Sequence, residues 1–232
     1  MPLEVRDTLY SLDSGYALLL VHNPNPDLGV HRSPYRAALR SEDGRLLGVS
    51  QQGLPGSLDQ TIFVLPPGGT IVLEPRFVPA PLTPAGIELI GPPAEQFQPW
   101  PSDGALAEVA VTEVRPGRAA VAIGQVRNPL DREANMIVDL ALFNDAGRLV
   151  NGAQDVVEAV PAGGAKSFQI LLLTGVVSAH IEAQASPARL PDLRDYTAFA
   201  DPSSGGFTTV APPRGPVSAA EKRWRHRFRH AL

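Results

Sequence analysis

Cysteine is absent from all 232 residues, which excludes a disulfide framework and a thiolate metal site and leaves the redox compartment open. Aromatic residues make up only 6%, a weak argument against a face built to stack sugars. No run of 18 apolar residues occurs, so no transmembrane helix is expected. The start Met1-Pro2-Leu3-Glu4-Val5-Arg6-Asp7 lacks the basic and apolar stretches of a secretory signal. The chain as given reads as soluble and without an export segment.

Catalytic signatures are also missing. There is no His-Glu-x-x-His, no Gly-x-Ser-x-Gly, no Gly-x-x-x-x-Gly-Lys and no Gly-x-Gly-x-x-Gly before a helix. Of the five histidines, His22, His31 and His180 have no carboxylate or second histidine at ligand spacing and read as ordinary structural or surface residues. His226 and His230 stand four apart, hence on one helical face, but the arginines between and around them would repel a cation. Asp131-Arg132-Glu133-Ala134-Asn135 alternates oxygen ligands like the start of a calcium loop, yet Arg132 intrudes and the later ligands are absent. No catalytic residue, metal, cofactor or small-molecule substrate is expected, and the chain is not read as an enzyme.

What is present is a duplication. Gly15-Tyr16-Ala17-Leu18-Leu19-Leu20-Val21-His22-Asn23-Pro24 is followed by Asp43-Gly44, Pro66-Pro67-Gly68-Gly69 and Ile87-Glu88-Leu89. The order returns as Ala119-Ala120-Val121-Ala122-Ile123-Gly124-Gln125-Val126-Arg127-Asn128-Pro129, Asp145-Ala146-Gly147, Pro161-Ala162-Gly163-Gly164 and Ile181-Glu182-Ala183. The offset shrinks along the chain, so the first copy holds extra residues between Asp43-Gly44 and Ile87-Glu88-Leu89.

Alternating apolar and polar residues mark strands with one face in a core and the other in water. Met136, Val138, Leu140 and Leu142 form one such face; Phe168, Ile170 and Leu172 another; the odd positions of 177–184 a third. Tyr16 to Val21 is continuously apolar and suits a central strand covered on both faces. Strands are expected at 3–10, 15–22, 34–41, 45–50, 58–64, 70–77 and 85–90, then at 106–114, 118–127, 134–143, 148–156, 165–173 and 176–185. Strand and turn repeat every 8 to 14 residues or so with no helical pattern between them, which argues for packed antiparallel sheets rather than a βαβ fold.

The expected fold is all-β: two tandem immunoglobulin-like antiparallel β-sandwiches with a short C-terminal helix. Residues 1–90 form the first domain, 91–104 a Pro-rich connector, 105–186 the second domain, 187–217 a loop-rich segment and 218–232 a basic amphipathic helix. Phe97 and Trp100 in the connector are expected to lie against a sandwich.

The second copy resembles the FxLYD family of small bacterial and archaeal β-sandwich domains. Leu140 stands in the Phe place, Phe143 in the Tyr place and Asn144 in the Asp place, ahead of a turn at Asp145-Ala146-Gly147 and a Pro-x-Gly-Gly turn followed by Phe168. In the first copy Ala37, Leu39 and Ser41 occupy those places, so the resemblance there rests on the turns. The resemblance implies an extracytoplasmic or cell-surface setting and brings no catalytic residue; a cytoplasmic or virion-associated setting is the alternative.

Charge is unevenly spread. Lys222, Arg223, Arg225, Arg227 and Arg229 against Glu221 give the last twelve residues a net of +4, which leaves −8 on the preceding 220. Ser218 to Glu221 reads as a capping box, and Trp224 and Phe228 fall on one stripe of the helix it would start. This segment either packs on its own acidic body or docks on a partner. A protein partner or self-assembly leads, an anionic membrane surface is possible, and nucleic acid is unlikely because the acidic body repels phosphates. Lys222, Arg223, Trp224, Arg225, Arg227, Phe228 and Arg229 are the candidate partner-binding residues. The expected role is a non-enzymatic structural or interaction module, with two alternatives: a carbohydrate- or ligand-binding sandwich using Tyr35, Trp100 or Tyr196, or a virion or surface-appendage subunit.

Overall fold

Hydrophobic residues at every second position in the first copy are buried by two layers of strands in a computed structural model, which describes residues 1–11, 15–50, 60–77, 84–101, 106–117, 120–172 and 180–190. The helix expected at 218–232 and the segment 191–217 lie outside these residues. The fold described is that of the unit Met1–Ala198, which is separate from Phe199–Leu232.

The described residues are all-β apart from one short 3-10 turn. In the first half, β1 (Glu4–Ser11), β2 (Tyr16–His22) and β7 (Thr70–Leu73) form an antiparallel sheet with β2 in the centre. Strands β3 (Leu28–Pro34) and β4 (Arg36–Arg40) run on from each other through Tyr35 and are the centres of two further three-stranded sheets. They are flanked by β6 (Thr61–Leu65) and β5 (Leu46–Val49) on one side, and by β9 (Phe97–Pro99) and β8 (Gly86–Ile90) on the other. The second half repeats this order without the breaks. Strand β11 (Val121–Arg127) lies between β10 (Glu108–Arg115) and β14 (Ala165–Leu171), and β12 (Ala134–Phe143) lies between β13 (Leu149–Val160) and β15 (His180–Pro187). The extra residues of the first copy separate β5 from β6, where the second copy has the single strand β13.

The turns explain why the same words recur in both copies. Asn23 and Asn128 are fully buried. Asn23 Nδ2 donates to the carbonyls of Leu28 and Pro66, and Asn128 Nδ2 to those of Arg132 and Val160. Each side-chain oxygen accepts from the amide two residues on, Asn25 or Leu130. One asparagine thus satisfies three backbone groups and ties three chain segments together, which no apolar residue at that position would do. The Pro-x-Gly-Gly turns close alike, Gly69 N to Pro66 O and Gly164 N to Pro161 O. Their first glycines, Gly68 and Gly163, sit at φ +66° and +59°, a region that favours glycine.

Each half has its own core. Ala17, Leu19 and Val21 meet Val30, Leu39, Ile62 and Ile71 in the first, and Ala122, Val126, Phe168 and Ile170 meet Met136, Val138, Leu140 and Leu142 in the second.

Several expectations are corrected. No strand is expected between residues 22 and 34, yet β3 occupies Leu28–Pro34. It is a strand because Val30, His31 and Ser33 are buried and pair with β6, while Leu28 to Val30 pair with β9 on the other edge. Residues 91–104 are not wholly a connector: Ala94–Gln96 make the 3-10 turn and Phe97–Pro99 become β9, paired with Leu28 to Val30. Phe97 packs on the first core and Trp100 on a cluster with Phe63, Val64 and Ile137, as their apolar bulk implied. Strand β12 does not have one face in water, since Ile137, Ala141 and Phe143 are buried as well as the core side. Tyr35 is 2% exposed inside the first core, and the half-buried Trp100 covers Gly29.

Candidate functional site

The covered outer face of β12 locates the candidate site. Leu18, Leu20 and Val72 point away from the first core and pack on Ala141, Phe143 and Leu149 of the second half. Beyond them, Phe63 and Val64 meet Ile137 and Leu190. Both β2 and β12 therefore carry apolar residues at successive positions for one reason: odd and even side chains serve two different cores.

Polar groups of the first half reach across this seam. The Asp7 carboxylate takes a bidentate pair from Arg148, Nη2 to Oδ1 at 2.7 Å and Nε to Oδ2 at 3.0 Å, and accepts the Leu149 amide at 2.8 Å. Burial alone would raise its pKa, but bonds from Arg148 and the Leu149 and Thr8 amides outweigh that and hold it below the usual value. Glu74 accepts the Gln154 amide at 2.8 Å and the Tyr16 hydroxyl at 2.7 Å. Burial first, and the Glu74 charge second, push the Tyr16 phenol well above its ordinary value. His31 is fully buried, and its Nε2 accepts the Leu190 amide at 3.1 Å. This bond requires an unprotonated Nε2.

Asp139 is the exception among these. It interrupts the apolar stripe of Ile137, Ala141 and Phe143 and is 4% exposed. Its cross-strand neighbours are Gln154 on β13 and Gln184 on β15. Gln154 Nε2 donates to Oδ1 at 2.7 Å. Burial drives its pKa up to about 7, the Gln154 bond acts downward and the Glu74 charge upward. Gln184 Nε2 is buried with no hydrogen-bond partner.

Asp139 lines a cavity of about 350 Å³ between the halves. Leu20, Ile71 and Val72 and the 66–70 turn form one wall; Asp139, Ala141 and residues 182–184 form the other, with the half-exposed Leu106 at its margin. That volume lies at the small end of the range of about 300–1,000 Å³ usual for small-molecule sites.

The sequence-derived partner residues, Lys222, Arg223, Trp224, Arg225, Arg227, Phe228 and Arg229, lie outside the described residues, as do His226, His230 and Tyr196. The structure does not bring the other histidines together. His22 Nδ1 lies 3.1 Å from the Gly69 carbonyl, and the exposed His180 stacks on Phe143 and stands 3.5 Å from Glu182. Sequence reasoning missed Asp139 although a signal existed: one charged residue in the otherwise apolar run Met136 to Phe143. Compared with known proteins, the chain matches no family model and no curated protein sequence.

Proposed function

We propose that the chain is a non-enzymatic interaction module, in which two immunoglobulin-like sandwiches are fused face to face and residues 218–232 dock on an acidic protein surface, foremost that of a second copy. The repeated strand order and the separate core of each half support the sandwich reading. The carrying observation is the seam. Two sheet faces are covered by each other, and Asp7, Glu74 and His31 are engaged there with backbone amides of the opposite half. A body fixed in this way presents surfaces at a constant spacing, which an adaptor or assembly subunit needs and a flexible tandem does not supply. Net charges of −8 on the first 220 residues and +4 on the last twelve supply complementarity between copies. The resemblance to FxLYD domains supports an extracytoplasmic setting.

Sedimentation velocity of the full chain across a concentration series tests this. Self-association at low salt, abolished by Arg223→Glu, Arg225→Glu and Arg227→Glu together and weakened by raised salt, is the expected result. A chain that stays monomeric at every concentration refutes docking on a second copy. Loss of cooperative unfolding in the charge-reversed variant would instead make 218–232 part of the folded body.

A further inference from the structure

We propose that the cavity between the halves binds a small organic cation, an ammonium or guanidinium group on a short apolar stem, with Asp139 as its counter-ion. This goes beyond docking by residues 218–232 and does not depend on it.

Four observations converge on that chemistry. Among the described residues the cavity is lined by two carboxylates, Asp139 and Glu182, and by no lysine, arginine or histidine. Among the described residues the most deeply buried acidic side chain is Asp139, with one hydrogen bond to one oxygen. A carboxylate offers about four acceptor positions, and among the described residues no donor takes up Oδ2. Its polar neighbours add acceptors, amides or negative charge: Gln154 from β13, Gln184 and Glu182 from β15, and Glu74 beyond β7. Finally, the remaining walls are apolar at Leu20, Ile71, Val72 and Ala141, which suits a short hydrocarbon stem.

Structure alone gives no reason for a carboxylate here. Asparagine would accept the same Gln154 bond without placing a charge among Ile137, Ala141 and Phe143. A buried charge that a neutral isostere could replace points to a partner that requires it. Buried carboxylates are found paired, and the partner that fits is a cation entering from solvent. A divalent metal fits poorly, because no three histidine, aspartate or glutamate side chains converge among the described residues. The buried Gln184 Nε2 would bond an acceptor atom carried next to the cationic group.

Calorimetric titration of the full chain with n-butylguanidinium, n-butylammonium, butyramide, butyrate and acetyl-arginine methylamide tests the proposal. The cations are expected to bind at least tenfold more tightly than butyramide or butyrate, and Asp139→Asn to lose at least tenfold for the cations alone. Affinity should also rise about tenfold from pH 6 to pH 8, as Asp139 ionises around pH 7. Tighter binding of n-butylguanidinium than of the blocked arginine points to a free small molecule, and the reverse to a basic side chain of a partner protein. Either supports the site. Equal binding of butyramide and the cations overturns it, as does unchanged cation binding by a folded Asp139→Asn. Should that variant not fold, the pH profile of the unaltered chain decides, and a flat profile overturns the proposal.

Discussion

Replacing Asp139 by asparagine should make the protein more stable, and increasingly so as pH rises. Burial among Ile137, Ala141 and Phe143 lifts the folded-state pKa from 3.8 to about 7, so the folded state holds this proton more tightly than the unfolded chain does. A folded pKa above the unfolded one gives stability that is complete below about pH 4 and is lost as pH rises toward 7. The whole shift corresponds to roughly 4 kcal/mol, of which roughly 3 kcal/mol falls between pH 4.5 and pH 8. Asparagine does not titrate and keeps the acceptor for Gln154 Nε2. Urea unfolding of both proteins at pH 4.5, 6, 7 and 8 isolates the effect, because every other titrating group cancels in the difference. The variant should gain little at pH 4.5 and several kcal/mol at pH 8. A difference that stays flat across this range would refute the argument that Asp139 is buried and uncompensated.

Three further predictions concern the parts that hold the halves. Asn23→Ala or Asn128→Ala should each cost about 2–4 kcal/mol, since each strands two buried carbonyls and one amide; equal unfolding midpoints for wild type and variant would contradict this. Gly152→Ala should destabilise through the seam, because its Cβ would stand 2.8 Å from the Leu140 carbonyl oxygen and 3.1 Å from Val72 Cγ1 of the other half; a thermal melt at wild-type temperature would show that this contact is looser than described. Asp7→Asn should weaken the Arg148 and Leu149 contacts by about 1–2 kcal/mol at neutral pH. Because Asp7 has a lowered folded pKa, its contribution is present above the unfolded value and lost as pH falls through the folded one. The gap between Asp7→Asn and wild type should therefore close in acid, as urea titrations at pH 3 and pH 7 would show.

The duplication, the turns and the central strands were legible because each rests on a local rule. Alternation reports a face, Gly permits positive φ, and Asn-Pro marks the end of a strand. Strand β12 was placed at its true ends for that reason. What escaped was set by the opposite half. Nothing local distinguishes Ile137, Ala141 and Phe143 packed on Leu18 and Val72 from the same residues facing water, although the unbroken apolar run that identified β2 as doubly covered is nearly matched in β12. Strand β3 was hidden because His31 and Ser33, polar residues, are the ones buried, and β9 because a Pro-rich composition describes an isolated chain and not one beside an open strand edge. Asp139 stood out as the one charge in the apolar run Met136 to Phe143, but that signal did not mark a site, because the cavity around it is built by β2, β7, β13 and β15, far apart in sequence.

The central claim is that the two halves fold as one body through the seam. Urea unfolding of the full chain carrying Trp224→Phe, followed together by Trp100 fluorescence and far-ultraviolet circular dichroism, tests it most directly. Trp100 packs with residues of both halves, so one transition with coincident midpoints is the predicted result. Fluorescence lost at a lower urea concentration than the strand signal, or two separate steps in the dichroism, would contradict it.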